Sequence, residues 1–275
     1  MSFSIRTNVG SLNAQKNLFN SSSMLQDSFS KLSSGFRITK AGDDAAGLGI
    51  SVNLNAQIRS FNQGNRNAQD AQSLIQTAES NLNQTTELLT RMRELAMQSA
   101  SSGVGNTERG YIQTENTALI TEIDRIANSA EYNGQALLNS AATSLTFQVG
   151  IRNVAANDRI SVSTVDATSA TLAVSTLDFS TQAASQTALA TLDTALQTIS
   201  SARATFGAAG NRLTSVIQTI QGSSESLSAA NSRIRDVDVA EETSKMARTQ
   251  VMMQAGVSVL AQAHQAPQIA LKLLG

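Results

Sequence analysis

The chain has no Cys, no Trp, one Pro and one His. Without Cys there is no disulfide framework, no zinc–thiolate site and no thiol nucleophile. A single His, His264, leaves too few members for a Ser-His-Asp arrangement or for most metal sites. It has no acidic residue within four positions and reads as a packing or surface residue. No catalytic, cofactor-binding or metal-binding residue is expected, and no cofactor. Charged residues are 15% and aromatics 4% of the chain. A formal charge of -1 gives no basic footprint for nucleic acid. No run of about 18 apolar residues is present, so no membrane insertion is expected. The opening Met1-Ser2-Phe3-Ser4-Ile5-Arg6 lacks a charged segment followed by an apolar one and does not read as a secretory signal.

What is present is helical periodicity. From 189 to 234 the steps alternate three and four: Leu189, Leu192, Leu196, Ile199, Arg203, Phe206, Gly210, Leu213, Ile217, Ile220, Ser224, Leu227, Asn231 and Ile234. A spacing of 3.5 residues belongs to a helix wound against others. At about 1.5 Å per residue the stretch 183–235 would run roughly 75 Å, and it needs partners of similar length. Leu189, Leu192, Leu196, Ile199, Phe206, Leu213, Ile217, Ile220 and Leu227 are its expected core seam.

Earlier in the chain, Leu18, Leu25, Phe29, Leu32 and Phe36 mark an amphipathic helix ending near Gly35. Its polar positions are Asn, Ser and Gln; alone in water such a helix is marginal, and the monomer is expected to be disordered here. The glycines around Asp43 and Asp44 lack the Lys-Ser/Thr of a phosphate loop and read as a turn capping the next helix. That helix carries Leu54, Ile58, Phe61, Ala68, Ala71, Ile75, Ala78, Leu82, Thr85, Leu89, Met92 and Ala96. A third helix places Ile112, Asn116, Leu119, Ile123, Ile126 and Ala130 on one face and is expected to stop at Tyr132-Asn133-Gly134. The period then becomes two at Leu145, Phe147, Val149 and Ile151, and again at Ile160 and Val162, which predicts a β-hairpin over about 144–165. Residues 166–185 read as a short connection. The last stretch is apolar nearly all round and must be buried, most simply among copies of itself. Pro267 is expected to kink or end its helix. The fold class is therefore mainly α: a long antiparallel helical rod or coiled-coil bundle with a small hairpin, its N- and C-terminal helices paired.

The sequence resembles the bacterial flagellins. The likeness begins at Arg6-Thr7-Asn8 and Ser11-Leu12-Asn13-Ala14-Gln15. It continues through Lys31-Leu32-Ser33-Ser34-Gly35-Phe36-Arg37-Ile38, Asp43-Asp44-Ala45-Ala46-Gly47-Leu48 and Arg91-Met92-Arg93-Glu94-Leu95-Ala96-Met97-Gln98. It resumes at Ser232-Arg233-Ile234-Arg235-Asp236-Val237-Asp238, Gln254-Ala255-Gly256 and Ser258-Val259-Leu260-Ala261-Gln262-Ala263, and closes on Pro267-Gln268 and Leu271-Lys272-Leu273-Leu274. Lys31, His264, Ala266 and Gly275 depart from residues common in the family. Only the 166–185 connection stands where many flagellins carry extra surface domains, so the resemblance is to a minimal member.

The resemblance implies a structural subunit, not an enzyme, that polymerises with itself into the extracellular flagellar filament used for swimming. It implies an inner-core domain of 1–56 and 232–275 that lines the export channel, and an outer-core rod of 57–231. Leu32, Phe36, Val259, Leu260, Leu271 and Leu274 would serve terminal-helix assembly. It further implies secretion in unfolded form by the flagellar type III apparatus, with an export chaperone, a cap protein and hook–filament junction proteins as partners. Recognition by Toll-like receptor 5 of animal hosts would use Arg91, Leu95 and Glu115, although subunit packing alone would also explain them. The nearest alternative is a hook–filament junction protein, whose motifs are usually looser. A chemoreceptor-like signalling rod lacks the central hairpin, and an enzyme lacks a constellation of nucleophile, base and orienting group.

Overall fold

The computed structural model describes residues 7–139 and 143–274, with side chains as far as Gln265. Among these residues are six helices and four short strands: α1 (Val9–Ser34), α2 (Ala45–Ser99), α3 (Asn106–Ser129), β1 (Glu131–Tyr132), β2 (Gln135–Ala136), β3 (Ser144–Gln148), α4 (Ala155–Asp158), β4 (Arg159–Ser163), α5 (Gln182–Arg235) and α6 (Val239–Leu274). The chain is mainly α. It divides into a terminal unit, Met1–Ala56 with Ser226–Gly275, and a central unit, Gln57–Glu225. No helix among the described residues is long and apolar enough to cross a membrane.

In the central unit α2 buries Gly64, Ala68, Ala71, Ile75, Ala78, Leu82, Thr85, Leu89, Met92, Ala96 and Ser99, in steps of four and three throughout. α5 does the same with Ser185, Ala188, Leu192, Ala195, Ile199, Ala202, Phe206, Ala209 and Leu213, and again at Ile220. This corrects the expected seam. Leu192, Ile199, Phe206, Leu213 and Ile220 are buried, but the residues alternating with them are alanines. Leu189, Leu196 and Ile217 are half-buried against the flank of the core, and Leu227 is half-buried in the terminal unit. The reason is steric. Small side chains at the closest approach let helix backbones come together, and the larger leucines close over the edges of the contact.

The turn after α2 is organised by a buried cation. The Arg109 guanidinium donates to the carbonyls of Ser99 and Ser101, both at 2.9 Å, and to Asn106 Oδ1 at 3.0 Å. A cation at the negative end of a helix, bonded to its free carbonyls, is favourable on both counts. The stop of α3 also differs from expectation. The helix ends at Ser129, and Asn133 and Gly134, with φ of 51° and 75°, are the two central residues of the β1–β2 hairpin. Two consecutive positive φ values are what a two-residue hairpin turn requires.

β3 and β4 pair antiparallel, with Leu145 opposite Val162 and Phe147 opposite Ile160 on one face. The N–H groups of Val149 and Gly150 both donate to the carbonyl of Asp158 at the strand ends. The hairpin seats on α2 at Gly64. A Cβ there would lie 2.3 Å from the carbonyl oxygen of Val149. Asn67 Nδ2 donates to the Gln148 carbonyl beside it at 2.8 Å. The connection to α5 is no surface loop. Ala167, Leu172, Val174 and Phe179 are buried in the common core. α3 pins its backbone: Asp124 accepts from the Ser169 N–H, Gln113 from the Phe179 N–H, and Asn116 donates to the Leu177 carbonyl.

Threonines recur on the exposed faces of these helices. Thr114, Thr117, Thr121, Thr194, Thr198, Thr205 and Thr219 each donate the hydroxyl to the carbonyl four residues back.

In the terminal unit α1 is a continuous helix, which corrects the expectation that the monomer is disordered here: α6 supplies it with a partner along its length. Its N-cap Asn8 accepts from the Ser11 N–H, and Gly35, with φ of 73°, closes its C-terminus. Asp44 Oδ1 accepts from the Gly47 N–H at 2.8 Å as α2 begins. Pro267 was expected to kink or end its helix; α6 runs on through it to Leu274, so it does not end there. A proline removes one hydrogen bond, and the neighbouring turns keep theirs.

Candidate assembly surface

The terminal unit is built on one antiparallel helix pair. α1 turns Ser11, Ala14, Leu18, Ser21, Leu25, Ser28 and Leu32 inward, in steps of three and four. α6 answers with Glu242, Met246, Thr249, Met253, Gly256, Leu260 and Ala263. Small residues dominate one column of each seam, so the backbones approach closely. At Gly256 a Cβ would stand 3.1 Å from Leu18 Cδ1. Polar bonds fix the two ends. Asn8 Nδ2 donates to the Ala263 carbonyl at 2.7 Å, and Ser11 Oγ lies 3.3 Å from His264 Nε2. Toward the other end the buried Ser28 hydroxyl donates to Glu242 Oε1 at 2.6 Å. Beyond it, Phe36 bridges to Asp236, Arg37 N–H donates to the Arg235 carbonyl at 2.6 Å, and Val237 N–H donates to the Gly35 carbonyl at 3.0 Å. The Arg235 guanidinium lies 4.2 Å from the centre of the Phe36 ring.

Pairing leaves much of the apolar surface uncovered. Val9, Leu12, Phe19, Met24 and Phe29 on α1 are exposed, as are Val239, Val251, Met252, Val257 and Val259 on α6. Phe19 is 76% exposed and Phe29 67%. Two hollows open between the helices. One, about 630 Å³, is lined by Leu25, Phe29, Met246 and Gln250. The other, about 450 Å³, is lined by Leu18, Phe19, Met253 and Val257. Among the described residues, only Met97, Tyr111 and Val154 of the large exposed apolar side chains belong to the central unit. Large apolar side chains left exposed together on one helix pair suit an interaction site.

Of the residues assigned to terminal assembly, Leu32 and Leu260 lie in the paired seam, Phe36 is half-buried at the bridge, and Val259 is exposed. The side chains of Leu271 and Leu274 lie outside the described residues. Reading by large apolar residues missed Ser28 and Glu242. The signal for that seam was the exact seven-residue spacing of Leu18, Leu25 and Leu32, which predicts a second column of residues between them.

The candidate receptor patch is divided by the structure. Arg91 Nη2 and Glu115 Oε1 form an exposed ion pair at 2.8 Å, and Arg91 also reaches Glu94 at 3.1 Å. Donating to Glu115, and next to Glu94, holds the Arg91 guanidinium above its ordinary range. Leu95 is 2% exposed and belongs to the core. This corrects its assignment as a contact, because reaching it would require opening the helix packing. Among the described residues, no group of three or more His, Asp or Glu converges as a metal site would require.

The family model for the bacterial flagellin N-terminal helical region matches residues 5–143, and that for the flagellin C-terminal helical region matches 189–274. The chain belongs to the bacterial flagellin family. It is 40% identical over 270 residues to a flagellin of Halalkalibacterium halodurans, covering 98% of this chain and 99% of that one. It is 40% identical over 301 residues to a flagellin of Bacillus subtilis, with 98% and 99% covered. The crystal structure of Bacillus cereus flagellin superposes with a TM-score of 0.51 at 32% identity, over 56% of this chain and 88% of that one. A putative flagellar hook-associated protein from Vibrio parahaemolyticus shares the fold, with a TM-score of 0.59 at 14% identity, over 70% of this chain and all of that one. As a flagellin the chain is a structural subunit of the flagellar filament, and its role is in motility.

Proposed function

We propose that this flagellin polymerises through its terminal unit, with the central unit forming the outer layer of the filament. The observation that supports this reading is the distribution of uncovered apolar surface. Among the described residues, the helix pair α1–α6 exposes ten large apolar side chains, while the central unit has its own buried core. A pair exposing so much on more than one side is suited to burial among copies of itself. Heterologous contacts of that kind, repeated without closing a ring, build an open helical polymer. The division into domains of 1–56 with 232–275 and of 57–231 belongs to the same proposal. So does export in unfolded form: a terminal pair joined by a seam rich in Ser, Thr and Ala opens more readily than the central core. An export chaperone would cover the apolar faces beforehand, and cap and junction proteins would meet them at the filament ends.

The test is Phe19→Asp. Phe19 is 76% exposed, so the substitution leaves the folded monomer with unchanged helicity and melting. The variant monomer is expected not to extend seed filaments in negative-stain electron microscopy. Filaments as long as those of the unaltered chain would refute the role given to the terminal unit.

A further inference from the structure

The central unit carries a hollow of its own. It measures about 560 Å³ and is lined by Asp70 and Leu74 of α2, by Tyr132, Asn133 and Gln135 of the β1–β2 hairpin, and by Phe147 of β3. That volume lies within the range of small-molecule sites. Leu74 is buried and forms the floor. Asp70 stands one helical turn before it, on the same face of α2. Tyr132 and Gln135 are directly paired across the hairpin, so their side chains leave the same face of it. Asn133 occupies the turn between them. The Tyr132 and Phe147 rings are half-buried and packed against the core. They are therefore held in place as walls.

The polar groups of this hollow are unspent. Among the described residues, the side chains of Asp70, Tyr132, Asn133 and Gln135 have no hydrogen-bond or ion-pair partner. Neighbouring polar groups on α2 are committed elsewhere: Asn67 donates to the Gln148 carbonyl, and Arg66 to Gln63. The lining selects a class of ligand. It contains no Lys, Arg or His, and Asp70 would repel an anion. A wholly apolar ligand would strip water from four polar groups and give them nothing in return. A quaternary ammonium ion would use Asp70 and the two rings but leave both amides idle. A neutral sugar uses every group. Its hydroxyls both donate and accept, as do the Asn133 and Gln135 amides and the Tyr132 phenol, and Asp70 accepts from two of them. Its C–H faces lie flat against aromatic rings.

We propose that this hollow binds a neutral saccharide, with Tyr132 and Phe147 as stacking walls and Asp70, Asn133 and Gln135 as hydroxyl partners. The site would take the same chemistry from a free sugar or from the end of an attached glycan. It is independent of the polymerisation reading, because all six residues belong to the central unit.

The chain has two Tyr and no Trp. In a Tyr111→Phe monomer, tyrosine fluorescence therefore reports on Tyr132 alone, and Tyr111 is exposed enough for the change to be tolerated. This monomer is titrated with glucose, galactose, mannose and N-acetylglucosamine, and in parallel with choline chloride. At least one sugar should give a saturable change, half-complete at about 1–10 mM, the scale expected of so small a ligand. Adding Asp70→Ala or Gln135→Ala should weaken that binding by about tenfold or more while leaving melting unchanged, since both side chains are exposed. No saturation by any of the four sugars, saturation by choline alone, or equal sugar binding by the Asp70→Ala and Gln135→Ala monomers would overturn the proposal. Retention of the unaltered monomer on agarose carrying the bound sugar assigns the site to attached glycans as well; binding in solution without retention assigns it to the free sugar. Phe19→Asp monomer should bind as the unaltered chain does, so the two readings fail separately.

Discussion

Replacing Gly64 by Ala sets two effects of opposite sign against each other. Gly64 lies inside α2, and on helix propensity alone Ala would stabilise it by about 1 kcal/mol. The structure opposes this. The added Cβ would stand 2.3 Å from the Val149 carbonyl oxygen and 3.1 Å from its carbon. Both are backbone atoms with no rotamer to escape into, so the β3–β4 hairpin must lift away from α2. Overpacking of this kind costs about 1–3 kcal/mol. Lifting also strains the bond from Asn67 to the Gln148 carbonyl, for about another 1 kcal/mol. With the propensity gain subtracted, the net loss is about 1–3 kcal/mol. Gly207, in α5 of the same unit, has nothing within 4 Å of the equivalent position. Gly207→Ala should therefore stabilise by about 0.5–1 kcal/mol. Urea melts of monomer followed by far-ultraviolet circular dichroism give both numbers under one set of conditions. A Gly64→Ala monomer more stable than the unaltered chain would show that the hairpin does not rest on α2 as described.

Two further substitutions probe the core and the surface patch. Leu213→Asp places an unpaired charge at a fully buried site and should destabilise by roughly 3–5 kcal/mol. Ile217→Asp, on the half-buried flank, should cost less than half as much in the same melts. Equal losses would mean that the buried line of α5 has been misplaced. For the proposed Toll-like receptor 5 contact, Arg91→Ala should weaken receptor binding by the monomer. It should leave melting almost unchanged, because an exposed ion pair contributes about 0–1 kcal/mol. Undiminished affinity in a surface-binding assay would end that proposal.

The helices, the β3–β4 hairpin and the pairing of the terminal segments were legible because each carries a period. The details that were not legible have a common physical cause. A scan for large apolar side chains places the seam of α5 through Leu189 and Leu196, but helices meet at Ala188 and Ala195 because small residues permit the closest approach. The same bias hid Ser28, Thr249 and Glu242 in the terminal pair. Leu95 entered as a receptor contact through the family resemblance, which carries no burial information, and it lies in the core of the central unit. The 166–185 connection has no period at all. Phe179 is buried because side chains of α3 hold its backbone in place, a tertiary effect that no local pattern announces. Asn133-Gly134 was read correctly as a positive-φ pair but given to a helix end, since both structures ask for the same residues.

The back-bonded threonines have a consequence for how such a chain meets its neighbours. A hydroxyl given to the helix carbonyl four residues back has its one donor satisfied within its own helix. The faces bearing Thr114, Thr117, Thr121, Thr194 and Thr198 therefore present fewer free donors than their composition suggests. Burying them in a polymer strips few water molecules from groups that would then lack a partner. A surface of this kind meets a neighbour with its hydroxyl donors already satisfied inside its own helices.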